Sequence, residues 1–194
     1  MPRTATGQHD PLFASAFYLA DGRTELLTLA LDLSLLNHSQ AREWRAEIER
    51  ATGIPAAHVL ISATHTHSGP IIAGALASAD DPVVPSPDPE YLVQVRQGVI
   101  AAATAAQQQA RPAELAVAEA RVAGVGGNRI DPSGPRDPAV GILCARSREQ
   151  HRVFGLLLVY AMHPTVLHED STLVSSDFIH YTRQHVEAAW PGSV

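Results

Sequence analysis

"VLISATHTHSGP", Val59 to Pro70, is the stretch on which the reading of this chain turns. A run of apolar and β-branched residues ends abruptly in His65 and His67, followed by Ser68, Gly69 and Pro70. The nearly continuous apolar segment "HVLISAT" predicts a strand buried on both faces of an α/β sheet. Side chains two residues apart on an extended backbone share a face. His65 and His67 are therefore expected to look into one cavity at the C-terminal end of that strand, the edge where α/β sheets bind ligands. Two imidazoles so placed suit a borderline-soft cation such as Zn²⁺. The competing reading is two polar residues that merely close a strand.

Outward from this stretch, strands and helices alternate. "PLFASAFYLADG" and "TELLTLALDL" read as two strands joined at the Asp21-Gly22 turn signal. Residues 37–52 read as a helix that Asn37 or Ser39 caps and that Gly53 and Pro55 close. From Ser68 to Asp88, rich in Gly and Pro, an irregular excursion is expected, and a helix over 89–110 follows. "AELAVAEARVAGV" alternates like a half-buried strand, "GGNRIDPSGPRDP" is a loop, and "AVGILCAR" and "VFGLLLVYAM" are two further strands. The last helix is expected at about Asp177–Ala189, with Ser175 or Ser176 as its cap. The expected class is α/β, a layered domain with a mixed β-sheet flanked by helices. At 194 residues, the chain is expected to form a single domain over 1–194.

Composition narrows the function classes. The chain is 45% hydrophobic and 18% charged, which supports a packed core. Fourteen Lys and Arg against twenty Asp and Glu give a net charge of −6, and no basic block appears, so no nucleic-acid partner is expected. Cys144 is the sole cysteine, which excludes an intrachain disulfide and a Cys-based zinc knuckle. No apolar run reaches the roughly 20 residues of a transmembrane helix, and the polar start "MPRTATGQHDP" is unlike a signal peptide. A cytoplasmic location is the default expectation.

Other candidates for chemistry lie in two more loops. In "YAMHPTVLHEDSTLVSSD" a strand again ends in a histidine, His163, which Pro164 holds toward extended geometry. His163 could meet the first pair across the sheet edge, or simply hydrogen-bond its own loop. His168, Glu169, Asp170 and Asp177 are near enough in sequence to orient a ligand, although "HED" reads better as a solvated charge cluster. In "GGNRIDPSGP", Gly126 and Gly127 permit unusual backbone angles, and Arg129 could reach a substrate oxygen or remain a solvated surface arginine. Asp32 ends the "LALDL" strand, either as a partner to the site or as a cap toward the next helix. Ser68 follows the histidines, but no Gly-x-Ser-x-Gly elbow marks a nucleophile.

Together, "HDPLFASAFYLADG", "LALDL", "GIPAAHVLISATHTHSGP", "GGNRIDPSGPRDPAVGIL" and "AMHPTVLHEDSTLVSSD" resemble, in order, the neutral ceramidases and the wider bacterial family sharing their N-terminal catalytic domain. "THTHSGP" combined with a later "HPT…LVSSD" carries the resemblance. It implies a zinc-dependent hydrolase of amides, which in ceramidases cleaves ceramide to sphingosine and a fatty acid. By motif position His65 and His163 resemble zinc ligands. His67 resembles the adjacent active-site histidine that handles substrate or protons, and Arg129 the arginine of the substrate-side loop.

Two departures bear on the substrate. Ile71 and Ile72 stand where ceramidases usually have glycines, and His168 and Glu169 replace an asparagine pair. In the family, the serine-bearing Gly-Asp-x-Ser segment and the Glu and Tyr that complete the zinc shell lie beyond "LVSSD". No Gly-Asp pair occurs here. The resemblance thus covers roughly the first half of a catalytic domain, and the domain is expected to be incomplete. Three functions stay open: a ceramidase-like hydrolase of lipid amides, a zinc hydrolase of another amide or ester, and a non-catalytic metal-binding remnant. Apolar surface left by a missing half would favour self-association.

Overall fold

Alternation along Glu25–Leu31 sets the core. A computed structural model describes residues 4–73, 86–167 and 170–194. In it, Leu27, Leu29 and Leu31 are buried while Leu26 is exposed, the period-2 signature of a strand covered on one face. Strands β1 (Gly7–Gln8), β2 (Ala14–Ala20), β3 (Glu25–Leu31) and β4 (Val59–Ala63) precede the midpoint of the chain. Strands β2 and β3 form the expected antiparallel hairpin. Its turn is built by Asp21, whose carboxylate accepts the amides of Arg23 and Thr24 at 2.9 and 2.8 Å, with Gly22 at φ +85°.

Helix α1 (His38–Thr52) links β3 to the parallel strand β4. Of the two expected caps, Asn37 is the one used. Its side chain accepts the Gln40 amide, the Gln40 side chain returns the bond to the Asn37 amide, and Gly53 ends the helix at φ +78°. Helix α2 (Pro89–Gln108) starts at Asp88, whose carboxylate accepts the amides of Glu90 and Tyr91. Trp44 and Ile48 of α1 and Val99 and Ala103 of α2 pack with Leu27, Leu29, Leu31, Val59 and Ile61 in one core. The helices are clamped together by Arg96, which donates to both oxygens of buried Glu47 at 2.6 and 2.5 Å.

The mixed sheet, ordered β2-β3-β4 and flanked by helices, gives the α/β class expected. One expectation fails in detail. Strand β4 is not buried on both faces: Val59 and Ile61 are buried, but Leu60 between them is 54% exposed. β4 is an edge strand, and α1 and α2 cover the face that Val59 and Ile61 share with the β3 leucines. An apolar run cannot say how many layers cover it.

The chain divides into two compact units, residues 1–110 with 164–181, and 111–163 with 182–194. The first contains everything above and the two-stranded parallel pairing of β1 with β8 (Leu173–Val174). The second is built on an antiparallel meander of β5 (Ala113–Arg121), β6 (Ala139–Ser147) and β7 (Val153–Tyr160). Strand β5 is almost wholly exposed rather than half-buried, with Val117 at 84%. Helix α3 (Phe178–Ala189) begins one residue later than expected. Asp177, not Ser175 or Ser176, bonds its first amide, at 2.7 Å to Phe178. Ile72, one of the two isoleucines at the family's glycine positions, packs in the core. The expected excursion over 68–88 falls largely on residues 74–85, outside the described residues. Among the described residues no helix is long and apolar enough to cross a membrane.

Candidate metal centre

The His65–His67 pair sits where β4 runs past the sheet. Thr64 and His65 extend the parallel ladder, donating their amides to Leu31 and Leu33 at 2.8 and 2.9 Å. At His65 the chain turns: φ is +71°, in the left-handed region that side-chain-bearing residues rarely occupy. The backbone here is therefore not extended, and the period-2 argument for a shared face does not apply. The rings meet nonetheless, with centroids 4.8 Å apart and Nε2 atoms 3.4 Å apart. It is the left-handed kink, not strand alternation, that accompanies their convergence.

Hydrogen bonding assigns the proton on His65. Its Nδ1 lies 2.5 Å from the Ser34 carbonyl oxygen, which can only accept. Nδ1 is thus the N–H, and Nε2 bears the lone pair. That lone pair faces Nε2 of His67. A second lone pair there would repel it, so the pair shares either one proton or one cation. The His65 lone pair is thus open to an ion, with the His67 ring 3.4 Å away beside it. Both rings are exposed, so solvent and a ligand can reach them. The donor set suits zinc.

Asp32 settles into one of its two roles. Its buried carboxylate accepts the Phe13 amide at 2.9 Å and the Thr64 hydroxyl at 3.2 Å. It ties the residue before His65 to the β2 segment and caps no helix. A Cβ at Gly69 would make only ordinary contacts, 3.4 Å to Leu12 Cδ1 and 3.7 Å to the Asp32 carbonyl oxygen, so packing there does not require glycine.

The remaining candidates are distributed as follows. The Pro164 carbonyl oxygen accepts the His67 amide at 3.4 Å. His163 is peptide-bonded to Pro164, at the end of the second unit's segment. Arg129 is exposed in the β5–β6 loop of that second unit. Asn128 organises this loop, accepting the amides of Ile130 and Asp131 and donating to the Pro135 carbonyl. Gly126 takes φ +69°, an unusual angle of the kind its position suggested. A cavity of about 300 Å³ lies beside this loop, lined by residues including Gly126, Asn128, Arg136 and Tyr160, but not Arg129. His168 and Glu169 lie outside the described residues; Asp170 is exposed. Asp177 is buried and accepts the Leu167 amide at 2.8 Å, organising its own loop. Ser68 donates its amide to Thr66 and is half-buried, and Cys144 lies within β6.

Sequence reasoning missed Ser34, whose backbone carbonyl sets the His65 tautomer, and the buried group Asp10, Thr66 and Ser175. Backbone acceptors carry no residue signature, and Asp10 and Ser175 lie 165 positions apart.

The model for the neutral/alkaline non-lysosomal ceramidase N-terminal domain matches residues 1–193. Two solved structures share the fold. One is a neutral ceramidase from Pseudomonas aeruginosa, 23% identical, with a TM-score of 0.84 over 98% of this chain and 33% of that one. The other is described as a ceramidase complexed with C2, 19% identical, with a TM-score of 0.81 over 96% of this chain and 31% of that one. This chain thus spans about a third of the length of either solved chain. A comparison with curated proteins found no match. The family match runs almost end to end, and this chain belongs to the neutral/alkaline non-lysosomal ceramidase family, within its N-terminal domain.

Proposed function

We propose that this chain supplies part of the zinc site of a ceramidase-like hydrolase acting on lipid amides. His65 and His163 hold the ion, His67 moves a proton or binds substrate beside it, and Arg129 contacts a substrate oxygen. The observation that carries the reading is the His65 ring. Its Nδ1 is committed to the Ser34 carbonyl, so its Nε2 lone pair is presented to an ion, 3.4 Å from a second imidazole. His65, His67 and His163 can each offer one ring nitrogen to an ion. For His163, support comes from its peptide bond to Pro164, whose carbonyl bonds the His67 amide. Zinc, when bound, would lower the pKa of a water and stabilise charge developing on a carbonyl oxygen. The chain's own residues then hold the ligand tautomer, through Ser34, and take or give a proton at His67 Nε2. One domain over 1–194 is supported by a single family match running through both units.

Metal analysis of the purified chain tests the assignment. About one zinc per chain is expected, lost in His65→Ala and His163→Ala but retained in His67→Ala, which would lower turnover instead. A chain that binds no zinc, or whose zinc survives both ligand substitutions, overturns it. Hydrolysis of short-chain ceramide against simple acyl esters separates lipid-amide specificity from the broader amide or ester reading. Zinc bound without hydrolysis of either supports the metal-binding module instead.

A further inference from the structure

A histidine at φ +71° keeps that conformation only when its surroundings over-determine it. Upstream, Leu33, Ser34 and Asp32 hold the segment, as described. Downstream, the hold passes through Thr66, the fully buried residue between the two histidines. Its hydroxyl donates to the Ser175 carbonyl at 2.8 Å and accepts the Ser68 amide at 3.2 Å. The Ser175 amide donates to the Ser68 carbonyl at 2.9 Å, so the loop is fastened on both sides of His67. Ser175 is itself fixed from below: its buried hydroxyl donates to Asp10 and accepts the Asp177 amide at 2.9 Å.

Asp10 is the base of this column. It is only 2% exposed, and each carboxylate oxygen has two donors. One oxygen accepts the amide and hydroxyl of Ser176 at 2.7 and 2.9 Å; the other accepts the Ser175 hydroxyl and His9 Nδ1, the latter at 2.9 Å. His180 Nδ1 lies 4.0 Å away.

We propose that Asp10 and Ser175, acting through Thr66, are positioning residues that hold the loop so that His65 presents its ligating nitrogen to an ion and His67 stays beside it. The proposal rests on the reading of His65 as a zinc ligand. The bonds of these three residues act on the backbone that carries the rings. Metal binding is sensitive to ligand displacements of a fraction of an ångström, so the rigidity of that backbone decides how well His65 holds an ion. Burial alone would push the Asp10 carboxyl up, but bonds from Ser175, the Ser176 amide, His9 and the Ser176 hydroxyl outweigh it and hold the pKa below its ordinary value. The column is thus built around an ionised carboxylate.

Four variants of the full chain test this: Thr66→Val, Thr66→Ser, Ser175→Ala and Asp10→Asn. The probes are Co²⁺, whose visible absorption reports its ligand geometry, and the ¹⁵N shifts of the His65 ring in the metal-free protein. Thr66→Val and Asp10→Asn should weaken Co²⁺ binding by about tenfold or more, with Ser175→Ala in the same direction. In all three, the two His65 ring nitrogens should move toward tautomer-averaged shifts while circular dichroism stays native. Thr66→Ser keeps the hydroxyl and should behave as the parent protein does. The proposal is overturned if Thr66→Val leaves both the affinity and the ring shifts unchanged, or if Thr66→Ser loses as much as Thr66→Val. Should Asp10→Asn unfold, Ser175→Ala and Thr66→Val still decide the matter. Should the parent protein bind no Co²⁺, the zinc reading fails, whereas the metal-free ring shifts continue to test the column.

Discussion

His65 combines a left-handed backbone with a side chain committed through one nitrogen. For residues other than glycine this conformation costs about 1–2 kcal/mol. His65→Gly should therefore be more stable than His65→Ala by about 1 kcal/mol, reversing the order expected in regular structure, since both lose the Ser34 bond equally. Urea midpoints of the two variants check this. Asp10 carries a second prediction. Its folded pKa lies below the ordinary carboxylate value, so its contribution is fully present at neutral pH and is lost as pH falls through the folded pKa. Stability of the parent protein should fall more steeply below about pH 4 than that of Asp10→Asn. At pH 7 the variant should be less stable by roughly 1–3 kcal/mol, because buried donors lose their acceptor. A parallel pH profile for the two proteins would remove Asp10 from the account. His-x-His and Asp32 stand out in the sequence because strand ends are recognisable. Asp10 does not: its donors Ser175 and Ser176 arrive from the far end of the chain.

At the scale of elements, local signals did most of the work. Asp21-Gly22 makes the hairpin turn, and Asn37, Gln40 and Gly53 bound α1, because each acts on backbone groups within a few residues. The α1–α2 clamp is different, since Glu47 and Arg96 lie 49 residues apart. Glu47 is buried, and the Arg96 hydrogen bonds, set against the opposing effect of burial, hold its carboxyl below the usual range. Arg96→Met should leave that carboxylate without its main partner and cost roughly 1–3 kcal/mol. Glu47→Gln together with Arg96→Met should cost less than the sum of the two single changes, as a double-mutant cycle by chemical denaturation would show. Strict additivity would mean the clamp contributes nothing specific. Strands β1 and β8 were not legible at all: two residues carry no period, and their pairing exists only once residues 7 and 173 are brought together.

At the scale of the molecule, apolar surface remains uncovered among the described residues. Leu115 and Val117 project from one face of β5 at 52% and 84% exposure, on an edge strand with an unpaired side. Exposed apolar edges of this kind are templates for association. Self-association of the chain at high concentration is expected, and Val117→Lys should shift the equilibrium toward monomer in sedimentation velocity. A monomer at every concentration in both proteins would count against it.

The sequence alone determined the hairpin, the places of the three helices, the α/β class, the family and the two-histidine motif. These depend on short-range backbone chemistry or on patterns read within a few residues. The tertiary structure decided the rest. β4 is covered on one face because layers, not the strand, set burial. The histidines converge through a left-handed kink rather than by alternation. The His65 proton is assigned by a carbonyl 31 residues away, and the loop between the histidines is anchored to a carboxylate near the start of the chain. Bonds between distant segments leave no trace in local composition, since either partner alone reads as an ordinary polar residue.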